Sequence, residues 1–137
     1  MRLVRSVHDN NIFAYTVDCE NRRLTLHTVS HRGEAPAYTD IVFEDVVAHK
    51  FENVLSGNII LCIDEVAAKT IVGCEAALFA ESWKYGWPPI EYNGGPDVLI
   101  SALQNQGILG FEISSSYGLS GWVLAKRCDV LDASAGK

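Results

Sequence analysis

Strand-length stretches in which apolar and polar side chains alternate recur along this chain, and they restrict the fold more than any other feature. Phe13, Tyr15, Val17 and Cys19 alternate with polar or small residues, and after Glu20-Asn21-Arg22 so do Leu24, Leu26 and Thr28. This predicts a hairpin over residues 12–29. Residues 30–37 contain Gly33 and Pro36 without periodicity and mark a surface loop. Two short strands or one bent strand follow at 40–43 and 46–51, where Glu44-Asp45 breaks the alternation and a bulge or turn fits. A turn at Leu55-Ser56-Gly57 leads into residues 58–63, a continuous apolar run that predicts a strand covered on both faces at the sheet centre. Residues 110–116 and 122–127 alternate on either side of a hairpin connection at 117–121, and 128–131 extend the last strand.

Helical spacing is confined to the middle. Ala67, Ile71, Cys74 and Leu78 recur on one helical face, which predicts a longer helix over 66–83, opened by the acids Asp64 and Glu65 and open to a break near Gly73. A second, short helix is predicted after Pro96, ending at Gly107, with Val98, Leu99, Ala102 and Leu103 inward. The fold class is therefore α+β: a mostly antiparallel sheet with one longer and one short helix packed against it. The 137 residues support one core, so residues 1–137 form a single domain, with the polar tail 132–137 expected to fray.

Charge is segregated. Residues 33–125 hold twelve carboxylates and three lysines, net -9, while the two ends are net +3 within a total of -6. A surface of that sign argues against nucleic acid, whose phosphates demand basic contacts, and suits a basic protein partner. No apolar run reaches the roughly 20 residues of a membrane helix, and the amino-terminal stretch lacks the apolar core of a signal peptide, so a cytoplasmic, membrane-free protein is expected.

Motifs for chemistry are absent. Gly94-Gly95, Gly107-x-x-Gly110 and Gly118-x-x-Gly121 lack the Lys-Ser/Thr of a phosphate loop, and no Gly-x-Ser-x-Gly elbow occurs. Cys19, Cys62, Cys74 and Cys128 contain no Cys-x-x-Cys pair and are expected as buried free thiols. The four histidines lack the spacing of a helical metal pair, so neither metal nor cofactor is expected. His8-Asp9 is expected to organise entry into the first strand, and His49, in line with Val47 and Phe51, to sit at the edge of the core.

The segment from Trp83 to Pro96 has three prolines, Gly94-Gly95 and several large aromatics, which predicts a loop. Its rings either cap the core or form a recognition surface, since Trp and Tyr are enriched at binding hot spots. The order His8-Asp9, Val17-Asp18, Asn21-Arg22, Leu24-Thr25-Leu26, then 41–46 and 48–52 resembles small bacterial proteins grouped with polymorphic-toxin immunity proteins, over about the first half of the chain. That resemblance implies a toxin-neutralising binding protein and transfers no catalytic residue. Three functions follow as expectations. The first is an acidic, aromatic surface that occludes a basic toxin, using Trp87, Tyr92, Glu91, Asp45 and Glu52. The second is a small enzyme or ligand-binding domain with a pocket of His8, Asp9 and His49. The third is a structural homo-oligomer subunit.

Overall fold

The computed structural model of the chain describes residues 7–83 and 95–133. In chain order these form β1 (Asn11–Asp18), β2 (Arg23–Ser30), β3 (Ala37–Glu44), β4 (Ala48–Glu52), β5 (Ile59–Ala67), α1 (Ala68–Cys74), α2 (Ala76–Trp83), α3 (Pro96–Asn105), β6 (Leu109–Tyr117), β7 (Ser120–Ala125) and β8 (Arg127–Asp132). All strand pairings are antiparallel, in the order β4-β7-β6-β5-β1-β2-β3-β8. The expected class, α+β with a mostly antiparallel sheet, holds.

The two ends of that order meet. β3 continues into β4 and β7 into β8, so one bent run lies beside another: β3 pairs with β8 and β4 with β7. Between them the ladder carries on through Lys126 N–H to Glu44 O at 3.0 Å and Val47 N–H to Leu124 O at 2.8 Å. The sheet therefore closes into a ring. At the corner, the step from Glu44 to Ala48 faces the shorter step from Arg127 to Leu124, so one residue is extra on the first run. That residue is accommodated at Asp45, which has φ of 55°. It is the bulge expected where Glu44-Asp45 interrupts the pattern, and it bends the strand. The seam between β1 and β5 is short, with Asn11 opposite Ile59 and hydrogen bonds linking Ile12 to Asn58 and Ile60 to Asn10.

The alternating positions fill the ring. Ile12, Leu24, Leu26, Ile41, Phe43, Ile60, Ile63, Phe111, Ile113 and Val123 form one buried cluster, and the Phe43 and Phe111 rings meet edge to face with centroids 5.5 Å apart. A second cluster lies on the outer face, where Ile71, Val72, Phe79, Leu99 and Leu103 of the helices cover Ala48, Trp122 and Leu124. Close approach there requires Gly110: a Cβ at that position would sit 2.5 Å from Ile71 Cδ1 and 2.9 Å from Val66 Cγ2.

Several details differ from the sequence expectation. In place of one longer helix over 66–83 there are two short ones, and with α3 the described residues hold three helices of 7, 8 and 10 residues. Val66 and Ala67 belong to β5 because they pair with Gly110 and Leu109, and strand pairing outweighs the helical spacing. The start at Ala68 rotates the buried face to Ala68, Ile71 and Val72, leaving Cys74 exposed. The 58–63 run is not covered on both faces: Ile60 and Ile63 are buried, whereas Ile59 and Leu61 are 36% and 46% exposed. The cysteines are not fully buried either, since Cys19 and Cys74 are exposed and Cys62 and Cys128 half-buried. Only Cys128 packs on the ring interior, where burial pushes its thiol up to about 12. Pairing also runs further than expected at the end of the chain, through Asp132 opposite Thr39 and Ala133 N–H to Tyr38 O at 3.0 Å.

Candidate functional site

One end of the ring is organised by a single buried amide. Asn58 is 4% exposed. Its Oδ1 accepts from Leu55 N–H and Leu119 N–H, each at 2.9 Å, and its Nδ2 donates to Leu55 O at 2.8 Å and Ile12 O at 3.3 Å. The Asn58 backbone N–H donates to Asn11 Oδ1 at 3.0 Å. This one side chain thus ties the loop after β4, the first strand and the entry to β7 into a fixed frame. On that frame Val54, Leu55, Ile59, Leu61 and Tyr117 stand 36% to 56% exposed, with Ile59 directly opposite Tyr117. Glu52, whose side chain is 60% exposed, ends β4 beside the loop.

A polar row crosses the outer face of the sheet. Asp64 lies opposite Glu112, Glu112 opposite Trp122, and Trp122 opposite Lys50. Glu75, the residue between α1 and α2, accepts from Trp122 Nε1 at 2.9 Å and from Lys50 Nζ at 3.0 Å. The helix break therefore falls where a carboxylate pins the helical layer to the strands. The Trp122 hydrogen bond, and after it that of Lys50, hold the Glu75 carboxyl below the ordinary 4.5. The same contact raises the Lys50 ammonium above 10.5. A depressed carboxyl contributes stability that is present above its unfolded value and lost as pH falls through its folded one; the raised ammonium contributes below 10.5 and loses it as pH rises through its folded value. Glu75→Gln is therefore expected to lower the urea midpoint at neutral pH. The gap to the wild type should close once acid has neutralised Glu75, and a gap that persists unchanged into acid contradicts this role.

A cleft of about 480 Å³ opens between the β1–β2 turn, the Asp45 bulge and the carboxyl end of α3. Val17, Val46, Val47 and Ala48 supply its apolar wall, and Asp18, Cys19, Arg22, Arg23, His49 and Gln106 its polar groups. Asp18 fixes the turn: Asn21 donates to it from its side chain at 2.8 Å and its backbone at 3.1 Å, which lowers the Asp18 carboxyl pKa. Arg22, at φ 52°, accepts at its carbonyl from Val46 N–H at 2.8 Å, locking the turn onto the bulge. Arg22 Nη2 donates to Asp45 at 3.3 Å and Arg23 Nε to Glu44 at 2.9 Å. The His49 ring lies tilted against that of Phe51, with centroids 5.2 Å apart, and desolvation lowers its pKa.

The residues singled out from the sequence fall in separate places. Trp87, Glu91 and Tyr92 lie outside the described residues. Asp45 is the bulge residue that receives Arg22, and Glu52 edges the apolar surface on the Asn58 frame. His8 and Asp9, just ahead of β1, dock on β5 through His8 Nδ1 to Leu61 O at 2.9 Å and Asp9 N–H to Ile60 O at 2.8 Å. His49 lines the cleft, whose walls include neither His8 nor Asp9. Among the described residues no group of three or more His, Cys, Asp or Glu is placed to hold a metal ion, and no helix is long and apolar enough to cross a membrane.

Sequence reasoning missed Asn58, Tyr117, Glu75 and the Arg22-Arg23 pair as site residues. Asn58 carried a faint signal as a polar residue opening an apolar run straight after a turn. The others carried none, because their partners lie 21 or more positions away. No protein-family model, curated protein or solved structure matches this chain.

Proposed function

We propose that the chain is a protein-binding module of the immunity type, which occludes a basic protein such as a nuclease toxin by stoichiometric binding. The observation that carries this reading is the exposed apolar surface of Val54, Leu55, Ile59, Leu61 and Tyr117 on a frame that Asn58 holds fixed. Protein interfaces gain affinity from apolar and aromatic anchors, and a surface already rigid loses little ordering entropy on binding. Charge supports the sign of the partner: Glu52 is exposed at the end of β4 beside this surface, within the stretch of net -9. Such a field speeds encounter with a cationic surface at low salt.

The test is capture of a partner by the tagged chain from its host, at low and then raised salt, with variants alongside. The wild type should retain one basic protein in stoichiometric amount, released by salt. Leu55→Ala and Tyr117→Ala should each weaken that binding about tenfold, as truncation of an interface anchor does. Trp87→Ala and Tyr92→Ala belong in the same series, as aromatic members of the expected surface. The reading fails if the retained protein is acidic, if nothing is retained, or if Leu55→Ala and Tyr117→Ala bind like the wild type.

A further inference from the structure

We infer that Thr16, His27 and Asp40 form a second site, an acyl-transfer triad on the outer face of β1, β2 and β3, in which the Thr16 hydroxyl attacks an activated ester. Thr16 Oγ1 lies 2.9 Å from His27 Nε2, and His27 Nδ1 lies 3.0 Å from Asp40 Oδ1. The strand register builds this row. His27 stands directly opposite Asp40, and Thr16, two residues along β1 from the Ala14 that faces His27, reaches the imidazole diagonally. An ionised carboxylate can only accept, so Asp40 fixes the ring proton on Nδ1 and leaves Nε2 as the acceptor for the Thr16 hydroxyl. Nucleophile, base and orienting carboxylate are thus joined in the sequence of contacts that activates a hydroxyl.

Burial is graded along the row. The His27 and Asp40 side chains are 13% and 14% exposed, whereas Thr16 is exposed, so the base and its positioning carboxylate are shielded while the hydroxyl faces a substrate. The Phe13 ring, 39% exposed, has its centroid 6.4 Å from that of His27 and meets Tyr38 edge to face at 5.9 Å, an aromatic wall for a planar leaving group. β1 pairs with β5 only at Asn11, so among the described residues the alternate main-chain N–H groups around Thr16 that point to this edge are open to a developing oxyanion. In the reaction Thr16 Oγ1 bonds to the ester carbonyl carbon while His27 Nε2 takes the hydroxyl proton. The bond to the leaving oxygen then breaks, and the phenol departs with that proton. The acyl group stays on Thr16 until water, activated by His27, releases it as the acid and returns a proton to the hydroxyl. No residue of this row belongs to the Asn58 frame or its apolar surface, so the inference stands apart from the protein-binding reading.

Incubation of the full chain with para-nitrophenyl acetate tests the triad, with nitrophenolate release followed by absorbance and the acetylated residue located by peptide mass spectrometry. The wild type should carry the acetyl group on Thr16. Thr16→Val keeps the branched shape at an exposed strand position, should retain the wild-type urea midpoint and should lower turnover about a hundredfold or more, within the range that a positioned acid–base group contributes. His27→Gln should lose turnover likewise, Thr16→Ser should keep it, and His31→Gln, at an exposed histidine outside the row, should match the wild type. Nitrogen NMR of the neutral His27 ring should place the proton on Nδ1, the signature of Asp40 as positioning residue. The inference is overturned if no acetyl group is found on Thr16, if folded Thr16→Val releases nitrophenolate as fast as the wild type, if Thr16→Ser is as inactive as Thr16→Val, or if the ring proton resides on Nε2.

Discussion

Gly121→Ala is expected to destabilise the fold by about 4 kcal/mol or more, the range reserved for substitutions that force backbone apart. Gly121 is the second residue of β7, opposite Phe51 of β4 on one side and Ile113 of β6 on the other. A Cβ there would collide with the carbonyl oxygen of Lys50 and stand 2.9 Å from its carbonyl carbon and 3.0 Å from Phe51 Cα. Every one of these atoms is main chain, so no side-chain rotation relieves the overlap. β4 must move off β7, which opens the ring at the place where it closes and uncovers the Phe51 side of the interior. Domains of this size have only about 5–15 kcal/mol of stability in all, so a large share goes with one methyl group. Urea unfolding monitored by circular dichroism measures it directly, and a midpoint equal to that of the wild type would show that β4 is not held in this register.

Asn58→Ala follows closely, at about 3–5 kcal/mol, because each buried backbone group left without a partner costs about 1–3 kcal/mol. Leu55 and Leu119 lose the acceptor for their N–H groups, and the carbonyls of Ile12 and Leu55 lose a donor. Gly118 is bound to the same arrangement: at φ 84° it sits where a Cβ would run into Asn58 Oδ1 and Gly57 O, 2.7 Å away in the second case. Hydrogen exchange should therefore accelerate first at Leu55 and Leu119, ahead of global unfolding, and exchange that rises uniformly across the sheet would argue against a local frame. Because Leu55 and Tyr117 are presented by that frame, Asn58→Ala also separates two causes of lost binding. A variant with its sheet intact and partner affinity gone identifies preorganisation, rather than contact, as the contribution of Asn58.

The β-rich character, the hairpin at 12–29, the interruption at Glu44-Asp45 and the pairing at the carboxyl end were all legible, because each is written in local alternation and turn residues. Closure was not. The pairing of 37–52 with 120–132 depends on residues too distant for any periodicity to register, and the single extra residue at Asp45 that makes it geometrically possible reads equally well as a turn. The helical middle was misread for a related reason. Val66 and Ala67 have both helical spacing and a strand partner, and tertiary pairing decided between them. Of the candidate surfaces, the acids were visible as composition, whereas the Asn58 frame and the cleft exist only through contacts between distant segments. Arg22 and Arg23 look like ordinary turn residues until the bulge is folded beside them.

The bent run formed by β7 and β8 sets the order in which this chain can mature during synthesis. β1, β2 and β3 are complete as a local meander early on, yet β3 keeps a bare edge until residues 127–132 emerge to cover it. Unpaired strand edges template association with other chains, so a nascent or prematurely terminated product ending near residue 126 carries an exposed edge that the finished protein does not. Loss of β8 alone should therefore show itself as insolubility out of proportion to the few residues removed.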